Sequence, residues 1–227
     1  MDTPSPKVMG IRLTTNPRSD MWQAPRATPE FSVFLIGWIT KDIPVEAGVP
    51  LQAMQVLSES LTRLAVVTFL AKTPTSARLA PNQWHDVGGG WVAVLTRTSS
   101  VFSRRHPLPL IATGDSGVAQ ELFRSSSFDW NQQAQMALLS EPGHPPAIDY
   151  DLVEKCLRRS SLTGVIRDLH LLGILYPAVD GDFAALVSSD AGFAEDFQRE
   201  LRRACQAAQL PFTAISEEEF RRTQWMG

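Results

Sequence analysis

Hydrophobic residues in this chain follow two rhythms: short aromatic and β-branched runs, and longer segments whose apolar positions recur every three or four residues. Phe31–Thr40 is the strongest run of the first kind and predicts a buried strand. Leu51–Lys72 carries apolar residues at Leu51, Met54, Leu57, Leu61, Leu64, Val67 and Phe69–Leu70. That spacing is largely helical and predicts one long helix at the centre of a first core. Thr73–Gly90 reads as a polar connection ending in Gly88-Gly89-Gly90. The strand-like Trp91–Thr96 follows, so the triplet reads as a hairpin turn; a phosphate loop needs a helix next. Leu108–Thr113 predicts another strand, Val118–Ser125 a helix, and Trp130–Ser140 a helix with Ala134, Met136, Ala137 and Leu138 inward.

The pattern continues after the breaker Glu141–Pro146. Asp149–Arg158 and Ser161–Leu172 predict two short helices, the second closed by Gly173. Ile174–Ser188 predicts a hairpin about Asp180-Gly181, a favoured turn dipeptide. Asp190 can cap a helix over Gly192–Gln209, whose apolar stripe is Phe193, Phe197, Leu201, Cys205 and Ala208. Leu210–Ile215 closes the fold as a strand, and Glu217–Trp225 reads as a charged, solvated helical turn. The fold class predicted is α/β or α+β: a mixed-sheet N-terminal unit, a helical segment, then a C-terminal strand–helix–strand. Residues 1–29, rich in Pro, Thr, Asn and Arg, are expected to form an extended arm anchored by Trp22. Residues 30–140 form the mixed unit and 141–227 the rest, with one shared core compatible with the pattern.

Composition adds bounds. The chain has 227 residues, 44% hydrophobic and 20% charged, ordinary values for a globular protein with a real core. Its net charge of −3 is the wrong sign for a nonspecific nucleic-acid binder, so any such role needs a local basic patch. The stretches Phe31–Ile39 and Leu64–Ala71 are too short to cross a bilayer and no leader pattern is visible, so a soluble cytoplasmic protein without membrane contact is expected. Cys156 and Cys205 fall on separate predicted helices outside any CxxC or Cys/His cluster and read as free buried thiols. His85, His106, His144 and His170 are scattered without ligand spacing. No metal and no cofactor are expected.

Three segments invite chemistry. Gly114-Asp115-Ser116-Gly117 sits between a predicted strand and a predicted helix. It resembles the GDSG of chymotrypsin-like proteases and the GDS of GDSL-type esterases. The first family is all-β and needs a histidine and an aspartate upstream in particular frames, and this chain has no alanine-alanine-histidine-cysteine block. The second needs a DxxH block, for which Asp168-Leu169-His170 is one residue short. The local reading is that Asp115 or Ser116 caps the following helix. Phe183–Ile215 resembles the closing half of restriction-endonuclease-like folds, but its strand has no carboxylate–lysine pair and Asp182 alone cannot hold a metal. If that fold is present, it is a degenerate, noncatalytic copy.

The third segment is Arg159-Ser160-Ser161-Leu162-Thr163-Gly164-Val165-Ile166-Arg167-Asp168-Leu169-His170-Leu171-Leu172-Gly173-Ile174-Leu175. It resembles the third helix of a MarR-like winged helix-turn-helix, in a stretch of roughly residues 130–188. The resemblance implies that Trp130–Ser140, Asp149–Arg158 and Ser161–Leu172 are its three helices. The third would enter a DNA major groove or meet a partner protein. Leu162, Val165, Ile166, Leu169 and Leu172 would pack inward, with Thr163, Gly164, Arg167, Asp168 and His170 on the polar faces. Two departures stand out: the turn Arg158-Arg159-Ser160 is tight, and the expected wing at Asp180-Gly181-Asp182 is acidic, which repels phosphate.

The first functional expectation is therefore a nonenzymatic binding protein, a DNA-associated regulator or a subunit of a larger complex. Its contact residues would be Arg158, Arg159, Thr163 and Arg167, with the basic patch Arg104 and Arg105 as a weaker set. The partner is DNA or a protein, and an oligomer or a complex is the expected setting. The alternatives are a hydrolase using Ser116, a degenerate nuclease, and a structural adaptor in an assembly.

Overall fold

The computed structural model describes residues 8–15, 28–40, 51–72, 84–88, 91–96, 108–113, 136–144, 146, 162–177, 183–216, 218–219 and 222. Its elements in chain order are β1 (Val8–Thr15), β2 (Ser32–Thr40), α1 (Leu51–Leu64), β3 (Val66–Lys72), β4 (Trp84–Gly88), β5 (Trp91–Thr96), β6 (Leu108–Thr113), β7 (Met136–Ser140), α2 (Leu162–Asp168), β8 (Gly173–Pro177), β9 (Phe183–Ser188), α3 (Ala191–Ala207) and β10 (Phe212–Ile215). Mixed α and β content of the expected class is what these elements give. The ten strands make one sheet in the order β10-β1-β2-β9-β8-β7-β3-β6-β5-β4. Every neighbouring pair is antiparallel except β1 and β10, which are parallel.

Two crossovers that carry a described helix organise this part of the sheet. β2 leads through α1 to β3, past β9, β8 and β7; β9 leads through α3 to β10, past β2 and β1. The alternation of directions makes each joined pair parallel. β2 and β9 point in opposite directions and their crossovers step in opposite directions along the sheet. Crossovers of one hand then place both helices on the same face. Both are found there. α1 and α3 lie side by side, with Arg63 Nη1 2.9 Å from Glu200 Oε1 and Gln52 Nε2 donating to the Ala208 carbonyl at 3.3 Å.

Beneath them lies the first core: Ile11, Leu13, Phe34, Ile36, Val67, Ala137, Leu139, Leu175, Ala184 and Leu186 from the sheet, with Leu57, Leu61, Phe193, Phe197 and Leu201 from the helices. α1 buries Ala53, Val56, Leu57, Ser60 and Leu61, one face of a 3.6-residue period. Ser60 survives burial because its Oγ donates to the Val56 carbonyl at 2.8 Å. The opposite face of the sheet carries Val33, Leu35, Leu70, Met136, Leu138, Ile174, Tyr176, Ala185 and Val187, which pack with Phe31 and with Leu162, Val165 and Ile166 of α2.

Four sequence expectations are corrected. Leu51–Lys72 is not one helix: α1 stops at Leu64 and Val66–Lys72 is a strand. A strand covered on both faces reads as a continuous apolar run, which periodicity cannot separate from a buried helix; β-branched Val66, Val67 and Thr68 tip it. Trp130–Ser140 is not a helix where it is described: Met136–Ser140 is a wholly buried strand hydrogen-bonded between β3 and β8. Its Met, Ala and Leu residues favour helix in isolation, and pairing on both sides overrides them. The winged-helix resemblance thereby lacks its first helix over these residues. Thr73–Gly90 is not connection throughout, since Trp84–Gly88 is β4, paired with β5 across the predicted hairpin. Finally, Gly173 does not close α2. It starts β8, where a Cβ would lie 2.6 Å from the Val187 carbonyl oxygen, so the strands can approach only with glycine there.

The expected arm contributes β1, held between β10 and β2. Asp149–Arg158 and Val118–Ser125 lie outside the described residues. The strand at Phe31–Thr40, the strands at Trp91–Thr96 and Leu108–Thr113, the β8–β9 hairpin and the capped helix before β10 are found as expected. No helix among the described residues is long and apolar enough to cross a membrane.

Candidate functional site

α3 and β10 build a groove at one end of the sheet. Asp190 starts the helix by accepting from the Phe193 N–H at 2.7 Å. Phe193, Phe197, Leu201 and Cys205 then turn inward, and Phe34 meets Phe197 edge-on with ring centroids 5.7 Å apart. The helix ends in a left-handed turn at Gln209 (φ 55). Gln209 N donates to the Gln206 carbonyl at 3.1 Å and Leu210 N to the Cys205 carbonyl at 2.8 Å, the paired bonds of a Schellman ending. That ending sends the chain directly into β10.

β10 pairs with β1 through Ile11↔Phe212, Arg12↔Thr213, Leu13↔Ala214 and Thr14↔Ile215, and among the described residues has no strand on its other side. Ile11 N donates to the Pro211 carbonyl at 2.8 Å. The alternation of a parallel ladder then points the backbone groups of Thr213 toward β1 and the N–H and C=O groups of Phe212 and Ala214 outward. The junction is tight: a Cβ at Gly10 would lie 2.3 Å from the Pro211 carbonyl oxygen. Side chains alternate as well. Ile215 is buried on the α2 face, while Phe212 and Ala214 face α3.

Arg202, Gln206, Leu210, Phe212 and Ala214 line a shallow groove of about 370 Å³. The Arg202 guanidinium carbon lies 5.5 Å from the Phe212 ring centroid. Neighbouring cations on the helix are paired: Arg199 with Asp196, and Arg203 with Glu200 at 3.6 Å. Among the described residues Arg202 meets no carboxylate. The groove therefore combines an apolar floor, a cation that meets no carboxylate among the described residues, one amide and two residues whose main-chain groups face outward.

The residues singled out from sequence are distributed differently. Arg158, Arg159, Arg104, Arg105, Ser116 and Cys156 lie outside the described residues. Thr163 is half-buried on α2, and Arg167 is exposed but engaged: it pairs with Glu30 and its guanidinium carbon lies 5.1 Å from the Phe31 ring centroid. Asp168 and His170 are exposed, and His170 holds the left-handed position (φ 51) that ends α2, with Leu171 N donating to the Ile166 carbonyl at 3.0 Å. Cys205 is fully buried, and desolvation pushes its thiol up to about 11, so it is neutral and a poor nucleophile near pH 7. No cluster of three or more His, Cys, Asp or Glu side chains suited to a metal occurs among the described residues.

The groove residues were not singled out from sequence. The signal was present: a four-residue final strand alternating Phe212 and Ala214 with Thr213 and Ile215, and Arg202 on the flank of an α3 stripe centred on Phe197 and Leu201. What sequence lacked was the strand order that puts β10 at an edge. No protein-family model, no curated protein and no solved structure matches this chain.

Proposed function

We propose that this chain is a nonenzymatic binding protein, a subunit of a protein complex, and that it joins its partner by adding an extended segment of that partner to β10. The observation carrying this reading is the coincidence at Phe212 and Ala214. Their backbone groups face outward from the last strand, and their side chains floor the groove beside α3. Strand addition uses such an edge, drawing affinity from main-chain hydrogen bonds and selectivity from alternate side chains. Protein is favoured over DNA because the described cation of the α2 segment, Arg167, is neutralised by Glu30, with exposed Asp168 beside it.

The test is retention of partners by the tagged chain from extracts of its source cells, compared with Ala214→Pro. Proline at 214 removes only an outward-facing N–H, so the fold is expected to survive, which a thermal melt checks. Proteins held by the native chain and lost with Ala214→Pro, but kept with Arg167→Ala, support the reading. Retention unaffected by Ala214→Pro overturns it, as does retention of DNA alone.

A further inference from the structure

We infer that the segment received by β10 is an extended stretch of another protein carrying an Asp or Glu side chain opposite Arg202; this rests on the strand-addition reading and names what that edge selects. An added strand bonds to the N–H and C=O groups of Phe212 and Ala214. Residues directly across from them put their side chains on the same face, with Cβ atoms about 5 Å from those of Phe212 and Ala214. That face is the α3 groove. Two alternate residues of the incoming strand therefore project toward Arg202, Gln206 and the floor of Leu210 and Phe212.

Arg202 sets the choice between them. Its guanidinium carbon lies 5.5 Å from the Phe212 ring centroid, and its planar fork of N–H donors suits a planar, bidentate acceptor. The other helix cations on this surface, Arg199 and Arg203, already have carboxylates. A carboxylate entering the groove meets the one without a described acidic partner, and the Gln206 amide can donate to its second oxygen. The remaining alternate position meets carbon and takes an apolar side chain.

The same charge argues against a second copy of this chain as the occupant. Antiparallel pairing of β10 with itself about Thr213 sets Phe212 against Ala214 of the other copy. It thereby brings both Arg202 side chains to one face of one strand pair. Like charges so placed disfavour that assembly, whereas an acidic strand removes the conflict.

The experiment is selection of randomised twelve-residue peptides displayed on phage against the full chain, followed by affinity measurement of the enriched peptides. The expected result is enrichment of Asp or Glu two residues from an apolar position. Arg202→Glu should weaken the best peptide by about tenfold or more, as loss of a charge-assisted pair does. Replacing the peptide's acid with Lys should weaken binding to the native chain and restore it to Arg202→Glu, a reversal that a merely structural arginine would not produce. Peptides with no acidic preference, or affinity indifferent to Arg202→Glu while Ala214→Pro still abolishes it, overturn the acidic partner and leave strand addition standing. Peptides indifferent to Ala214→Pro bind elsewhere and overturn both.

Discussion

Arg167 and Arg202 make the same contact on opposite faces of one sheet, each over a phenylalanine ring, at 5.1 and 5.5 Å. Their surroundings separate them. Arg167 stands on a seven-residue helix laid across a sheet face and is paired with Glu30 from the start of the β2 segment. Arg202 stands on a seventeen-residue helix beside the last strand of the sheet, with no carboxylate among the described residues. The first cation belongs to the packing of its own chain. The second overlooks main-chain groups that face outward. Local helix grammar is similar in the two segments, down to the left-handed ending on a residue other than glycine, at His170 and at Gln209. Position relative to the sheet edge is what distinguishes them.

Removing the support of α3 should have the largest effect. Phe197 is fully buried between Phe34 and Phe193, so Phe197→Ala should cost about 3–5 kcal/mol in urea denaturation and loosen the groove. A loss below about 1 kcal/mol would mean that α3 is not anchored as described. Next comes the strand alone. Gly10→Ala forces a methyl against the Pro211 carbonyl, and a cost of about 1–3 kcal/mol is expected, with faster amide exchange at Thr213 and Ile215. An unchanged midpoint would contradict the β1–β10 contact.

Smaller effects probe the α2 side. Gly164 lies within α2 and a Cβ there meets open space, so Gly164→Ala should raise stability by about 0.5–1 kcal/mol through helix propensity. A loss instead would show that the α2 backbone is not the helix described. Last, Arg167→Ala should cost about 0.5–1 kcal/mol, less in high salt, because it removes an exposed ion pair together with a ring contact. Arg202→Ala should cost less and show little salt dependence, since only the ring contact goes. Equal, equally salt-sensitive losses would mean that Arg202 has an acidic partner in its own chain.

What the sequence disclosed follows from how much of each signal is local. α3 was legible because its cap, Asp190, and its stripe lie within one segment. The β8–β9 pairing was legible because two adjacent apolar runs flank Asp180-Gly181, a favoured turn dipeptide that itself lies outside the described residues. β3 and β7 were not, because strands covered on both faces lose the two-residue alternation that marks a strand. Gly173 was misread as a helix end because close approach to Val187 is a contact between segments. The site suffered most. Phe212, Ala214 and Arg202 are ordinary as residues, and they matter only once the strand order leaves β10 last. The conspicuous Ser161–Leu172 stretch does bury Leu162, Val165 and Ile166 as its periodicity predicted, but its cation turns to Glu30.

The most direct test of the open edge needs no partner: residue-resolved amide hydrogen exchange along β10 in the free chain. The expected result is an alternation, with Thr213 and Ile215 protected by β1 and Phe212 and Ala214 exchanging much faster, because their N–H groups meet solvent. Equal protection at all four amides would mean that another segment already occupies the edge, and the proposed docking strand would have nowhere to bind.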